Sequence, residues 1–141
     1  MSGRGSRRRL VGMLGAVLAS FTLLLATGGE ALASDFKSNV RITELKDFKF
    51  GGGHHRYIAG VVKSEKRRCR LDRSIKIEAR IGGGWFDPGW KETTGDSRRG
   101  KWEFESGVNG FIGASKIRAT VKRKRLANGS LCLPDTTTVR T

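Results

Sequence analysis

From Ser74 to Ile81 the chain alternates polar and apolar side chains without a break. Ile75, Ile77, Ala79 and Ile81 fall on one face, and Lys76, Glu78 and Arg80 on the other. Successive side chains of a strand point to opposite faces, so this period of two is a strand signal. Apolar-in, polar-out alternation marks an antiparallel sheet wetted on one side. Lys116 to Lys122 repeats the pattern, with Ile117, Ala119 and Val121 inward, and Lys101 to Glu105 repeats it with Trp102 and Phe104 inward. Tyr57 to Lys63 is β-rich, with Tyr57, Ala59 and Val61 on one face. Val40-Arg41-Ile42 and Thr136 to Val139 read as outer strands. No helical periodicity of any length follows residue 33. Turn signals separate the runs: Gly51-Gly52-Gly53, Gly82-Gly83-Gly84, Asp87-Pro88-Gly89, Gly95-Asp96, Gly107 and Asn128-Gly129. Short strands at this spacing predict an all-β fold, a single antiparallel β-sandwich of prealbumin-like or immunoglobulin-like type.

The first 33 residues stand apart. Arg4, Arg7, Arg8 and Arg9 lead into an uncharged run from Leu10 to Ala26, and Ala31-Leu32-Ala33 closes the segment. This is the layout of a cleavable secretory signal peptide. Leu10 to Ala26 is near the lower limit for a membrane-spanning helix, so an uncleaved anchor is the rival reading, and the Ala-x-Ala site favours cleavage. Ser6-Arg7-Arg8-Arg9 also resembles a loose twin-arginine signal, which leaves the export route open. The organisation expected is a signal over 1–33, an N-terminal lead with a possible edge strand over 34–56, and the sandwich over 57–141. The protein is expected outside the cytoplasm, secreted or at the cell envelope, with no transmembrane segment after cleavage.

The remaining residues amount to one domain, which can bury only a modest core. Cys69 and Cys132 are the only cysteines. In an oxidising compartment an even count reads as a disulfide, and two distant cysteines without nearby ligands make a poor zinc signal. Lys and Arg number 28 against 13 Asp and Glu, a net of +15. The signal segment holds only its four arginines and Glu30, so most of this excess belongs to the exported part. Such a field attracts polyanions.

Three blocks carry a resemblance. Gly60-Val61-Val62-Lys63-Ser64, Arg68-Cys69 and Arg73-Ser74-Ile75-Lys76-Ile77 form the first. Gly95-Asp96 and Arg99-Gly100-Lys101-Trp102-Glu103-Phe104 form the second, and Ile117 to Lys122 with Cys132 the third. Together they resemble the transthyretin-like, carboxypeptidase-regulatory-like β-sandwich modules of exported bacterial proteins, over residues 57 to 139. The resemblance implies a sandwich of about seven strands in which Gly100 to Phe104 forms a turn and a core-facing strand. It implies no single activity, because fold does not fix function.

Enzyme chemistry finds little to stand on. His54 and His55 are the only histidines and Tyr57 the only tyrosine. The dispersed histidines of transthyretin-related hydrolases and the two-tyrosine, two-histidine iron site of intradiol dioxygenases therefore cannot be assembled. A non-catalytic protein without cofactor or metal is expected, a small hydrolase being the weakest alternative. His54-His55 reads as a solvated loop pair, since neighbours on a strand would face apart. The candidate sites are three. Cys69 and Cys132 form the disulfide. Lys66, Arg67, Arg68 and Arg70, with Lys122, Arg123, Lys124 and Arg125, are the candidate polyanion site, two runs that the disulfide would fuse into one patch. Trp85, Phe86 and Trp90 form a glycine-rich loop where exposed rings would stack on a sugar or anchor a protein, unless they cover the end of the core. The expected partner is an anionic envelope polymer or an extracellular protein. A secreted binder of nucleic acid or glycosaminoglycan is the alternative, although no aromatics interleave with the basic runs as base stacking requires. Asn128-Gly129-Ser130 reads as a hairpin turn.

Overall fold

The computed structural model describes residues 33–89, 91–95 and 98–141. All but the last residue of the expected signal segment, together with Trp90, Asp96 and Ser97, lies outside the described residues. The chain runs β1 (Asp35–Phe36), β2 (Asn39–Phe50), β3 (Gly53–Lys63), a 3-10 turn (Arg67–Cys69), β4 (Ser74–Ile81), β5 (Gly84–Phe86), β6 (Lys91–Thr93), β7 (Lys101–Glu105), β8 (Ala114–Val121), β9 (Lys124–Arg125), β10 (Leu131–Cys132) and β11 (Asp135–Arg140). It is all-β, with several antiparallel sheets. One sheet has the order β2-β3-β7, and a second the order β11-β8-β4-β5 with β6 also on β4. The expected outer strands, β2 and β11, are edges of these two sheets.

The alternation explains the packing. The inner faces of the two sheets share one core: Val40, Ile58, Val62, Trp102 and Phe104 from the first meet Ile75, Ile77, Ala79, Ile117, Ala119 and Val121 from the second. Two half-apolar sheets bury their apolar faces most simply against each other. On β3 the buried set is Ile58, Gly60 and Val62, which leaves Tyr57, Ala59 and Val61 on the outer face. Gly60 lies opposite Trp102 on β7. A β-carbon there would collide with the Trp102 ring and the Arg41 carbonyl, so the indole lies directly on the backbone of β3.

Two turns do what their glycines require. Gly51 and Gly52 have φ of 58° and 81°, the double positive φ of a two-residue hairpin turn, and they join β2 to β3. Gly82 and Gly83, at 57° and 88°, join β4 to β5 in the same way. One alternation fails at its end. Ile81, the last residue of β4, is exposed, and the register between β4 and β8 shifts beside it, between Arg80 and Ile81.

Residues 34–56 are more than a lead. They supply β1, all of β2 and the start of β3, and they fall within one compact unit with everything after them. A third small sheet, order β1-β10-β9, closes one end. The β9–β10 connection is the hairpin turn expected at Asn128-Gly129, where the Ser130 amide donates to Asn128 Oδ1 at 3.2 Å.

Candidate functional site

Cys69 ends the 3-10 turn and Cys132 lies on β10, and the two form a disulfide with Cα atoms 5.4 Å apart. Both are fully buried, with Leu126 and Phe36 around them. Cys132 pairs in register with Lys124 on β9, so the disulfide sets the Lys66–Arg70 run against the Lys122–Arg125 run. Lys124 Nζ closes the junction by donating to the Leu71 carbonyl at 2.7 Å. Lys66 lies 5.5 Å from the centre of the Phe36 ring, and Arg70 Nε donates to the Ser64 carbonyl at 2.7 Å. Lys66, Arg67, Arg68, Lys122, Arg123 and Arg125 are exposed, and Arg70 and Lys124 half-buried. None of the eight pairs with a carboxylate among the described residues.

Beneath this end sits Arg73, fully buried. Its Nη1 donates to Ser38 Oγ at 2.8 Å and to the Cys69 carbonyl at 2.7 Å. Its Nη2 donates to the carbonyls of Lys122 at 2.7 Å and Leu133 at 3.1 Å. Its backbone amide donates to Thr94 Oγ1 at 2.9 Å. One guanidinium thus ties together the segment before β2, the first basic run, the second basic run and the residue that follows Cys132. No described carboxylate balances it, and loss of water pulls its pKa below the usual arginine value. The four bonds at Nη1 and Nη2 let a buried cation persist, with only Nε left without a partner. No motif marked Arg73 in the sequence. A charged residue ordinarily reads as surface, and only the fold brings four acceptors around it.

A second feature also escaped the sequence. The outer face of the β2-β3-β7 sheet forms an open groove of about 1040 Å³. Tyr57, Ala59 and Val61 lie along it. Register places Ala59 between Glu44 and Glu103, and Val61 beside Lys101. Toward the disulfide the groove is lined by Lys37, Lys63, Arg70, Arg99 and Lys101. The Tyr57 phenol is held above its ordinary pKa, first by loss of water and then by Glu103 and Glu44. The groove combines three strands and three loops, so no contiguous stretch of sequence carries it.

Trp85 and Phe86 are placed differently from the expectation. They lie on β5, not in a loop, because the Gly82-Gly83 turn folds them back onto β4. Neither belongs to the core: Trp85 is 37% exposed and Phe86 50%. The Arg118 guanidinium lies 4.0 Å from the centre of the Trp85 ring. Arg118 Nε also donates to Glu78 at 2.9 Å, and Lys76 bridges Glu78 at 3.0 Å and Asp87 at 2.8 Å. Arg118 first, and Lys76 with it, hold the nearly buried Glu78 carboxyl below the usual range. Trp90, the third ring of this candidate contact, lies outside the described residues.

His54 and His55 are on β3, which corrects the expectation of a solvated loop pair. Gly53, the last of three glycines, already belongs to the strand, with Val108 packed onto it. The two side chains do face apart: His54 is exposed and His55 buried. His55 stacks on Phe48 at 5.3 Å between ring centres, and its Nδ1 lies 3.1 Å from Glu105.

Among the described residues no helix is long and apolar enough to cross a membrane. No protein-family model, curated protein or solved structure matches the chain.

Proposed function

We propose that this chain is an exported, non-catalytic binding module whose disulfide-fixed end holds an anionic polymer of the cell envelope. One observation carries the reading: two basic runs far apart in sequence meet across Cys69–Cys132, and their eight cations have no carboxylate partner among the described residues. Cations left without partners attract counterions, which a polyanion releases on binding. A transthyretin-like sandwich as the scaffold, and export by the N-terminal signal, belong to the same proposal. The three blocks that resemble that family and the disulfide support them.

The test is retention of the protein on immobilised polyglycerol phosphate and on DNA across a salt gradient. Retention on polyglycerol phosphate above about 0.15 M salt, beyond that on DNA, is expected. Combined Arg67→Glu, Arg68→Glu, Arg123→Glu and Arg125→Glu should abolish it. Unchanged retention of this variant, or equal and weak elution from both matrices, would reject the proposal.

A second contact, to an extracellular protein, is favoured by the β4–β5 hairpin, where Trp85 shares the face of Arg80, and Ile81 and Phe86 lie on the other. Ile81, Trp85 and Phe86 put three exposed apolar side chains on the β4–β5 hairpin, and anchors of protein interfaces are enriched in tryptophan.

A further inference from the structure

We propose that the groove on the outer face of β2-β3-β7 binds a glycan chain whose negative charges are spaced by uncharged sugar rings. The inference rests on the reading that the neighbouring basic end takes anionic polymer, and it names the class of polymer. The groove continues that end. Arg70 belongs to both the first basic run and the groove lining. Gly100, between Arg99 and Lys101, packs against Arg70 and accepts a hydrogen bond from the Val62 amide at 2.8 Å.

The charges along the groove are graded: toward the disulfide its lining holds Lys37, Lys63, Arg70, Arg99 and Lys101 against the one carboxylate of Glu65. Lys63 and Lys101 stand toward the disulfide, and neither pairs with a described carboxylate. Tyr57 lies six positions before Lys63, about 20 Å away along an extended strand, and its neighbours are Glu103, Glu44 and Lys46, which lies opposite it in register and pairs with Glu44. A polymer with a negative charge on every unit, laid along this face, meets Glu103 there, a carboxylate in no ion pair among the described residues, and is repelled. A chain with an anion only at intervals avoids this. Its charged group sits among Lys63, Lys101 and Arg99, and an uncharged ring lies at Tyr57, where Glu44 and Glu103 accept hydrogen bonds from sugar hydroxyls. Ala59, between those two carboxylates in register, contributes only a methyl group and leaves room for the ring. Tyrosine suits such a floor, being apolar on its face and polar at its tip.

The experiment measures affinity of the full chain for a hyaluronan octasaccharide, which carries one carboxylate per two sugars, and for linear polyphosphate of equal charge. Tyr57→Ala should weaken the octasaccharide at least tenfold and leave polyphosphate within twofold. Tyr57→Phe, which keeps the ring, should stay within threefold for both. Ala59→Trp fills the floor without altering charge, and should also cost the octasaccharide tenfold, so the test survives if Tyr57→Ala does not fold. Octasaccharide affinity unchanged in both Tyr57→Ala and Ala59→Trp, or no octasaccharide binding by the native protein, would overturn the proposal. Failure of the basic-end reading shows separately, as polyphosphate affinity unaffected by reversal of Arg67, Arg68, Arg123 and Arg125.

Discussion

At Gly60 the absence of a side chain is what lets Trp102 lie flat on β3. Gly60→Ala should therefore cost about 1–3 kcal/mol by overpacking, lowering the melting temperature by roughly 4–8 °C for each kcal/mol in a domain of this size. An unchanged melting curve would show that the indole is not seated there. Arg73 makes the opposite case, a large polar group inside. Arg73→Met keeps much of the bulk but leaves the carbonyls of Cys69, Lys122 and Leu133 without their donor. Each buried orphan costs about 1–3 kcal/mol, so denaturant titration should find this the more damaging of the two changes. Glu78 gives a pH dependence. Its folded pKa is depressed by Arg118 and Lys76, so it stabilises the fold above the ordinary glutamate value of 4.5. That contribution is lost as pH falls through the lowered folded value. Glu78→Gln should be less stable than the native protein at pH 7, and the gap should narrow as pH falls below 4.5. A gap independent of pH would contradict the assignment.

At the scale of elements, the alternating runs were legible because burial on one face leaves a period of two in the sequence. β4, β7 and β8 are where the pattern puts them, and Trp102 and Phe104 are buried as expected. Legibility ended where position depended on something other than period. Ile81 follows a register irregularity, which no local pattern announces. The Gly51-Gly52-Gly53 triplet reads as loop through all three residues, yet only two form the turn. That error moved His54 and His55 out of their strand. Trp85 and Phe86 were misplaced for a related reason, since a three-residue strand beside two glycines is too short to show alternation. The pairing of Cys69 with Cys132 was forced by number. On the chain-entropy model, closing a loop of 63 residues stabilises the fold by about 4 kcal/mol. Reduction of the disulfide should lower the denaturation free energy by that order, read from urea melts with and without reductant. Coincident melts would mean that the third sheet holds the end together unaided.

At the scale of the whole molecule, charge and topology converge. Composition gave the excess of cations, but not where they gather. The two basic runs could be read as candidates because each is contiguous. Their union needs the disulfide, the β9–β10 hairpin and Arg73 together. The groove was not legible at all, because its lining is assembled by strand register between β2, β3 and β7. The central claim is that two separate basic runs act as one polyanion site. The most direct test is the slope of log affinity for polyglycerol phosphate against log salt. It compares native protein, Arg67→Glu/Arg68→Glu, Arg123→Glu/Arg125→Glu, and all four changes together. For one shared site, each pair lowers the slope by contacts worth about 0.7–0.9 apiece, and each loses affinity for the same ligand. The four-fold variant should bind no better than a neutral surface. A pair that leaves both slope and affinity at the native values would contradict a single site built across Cys69–Cys132.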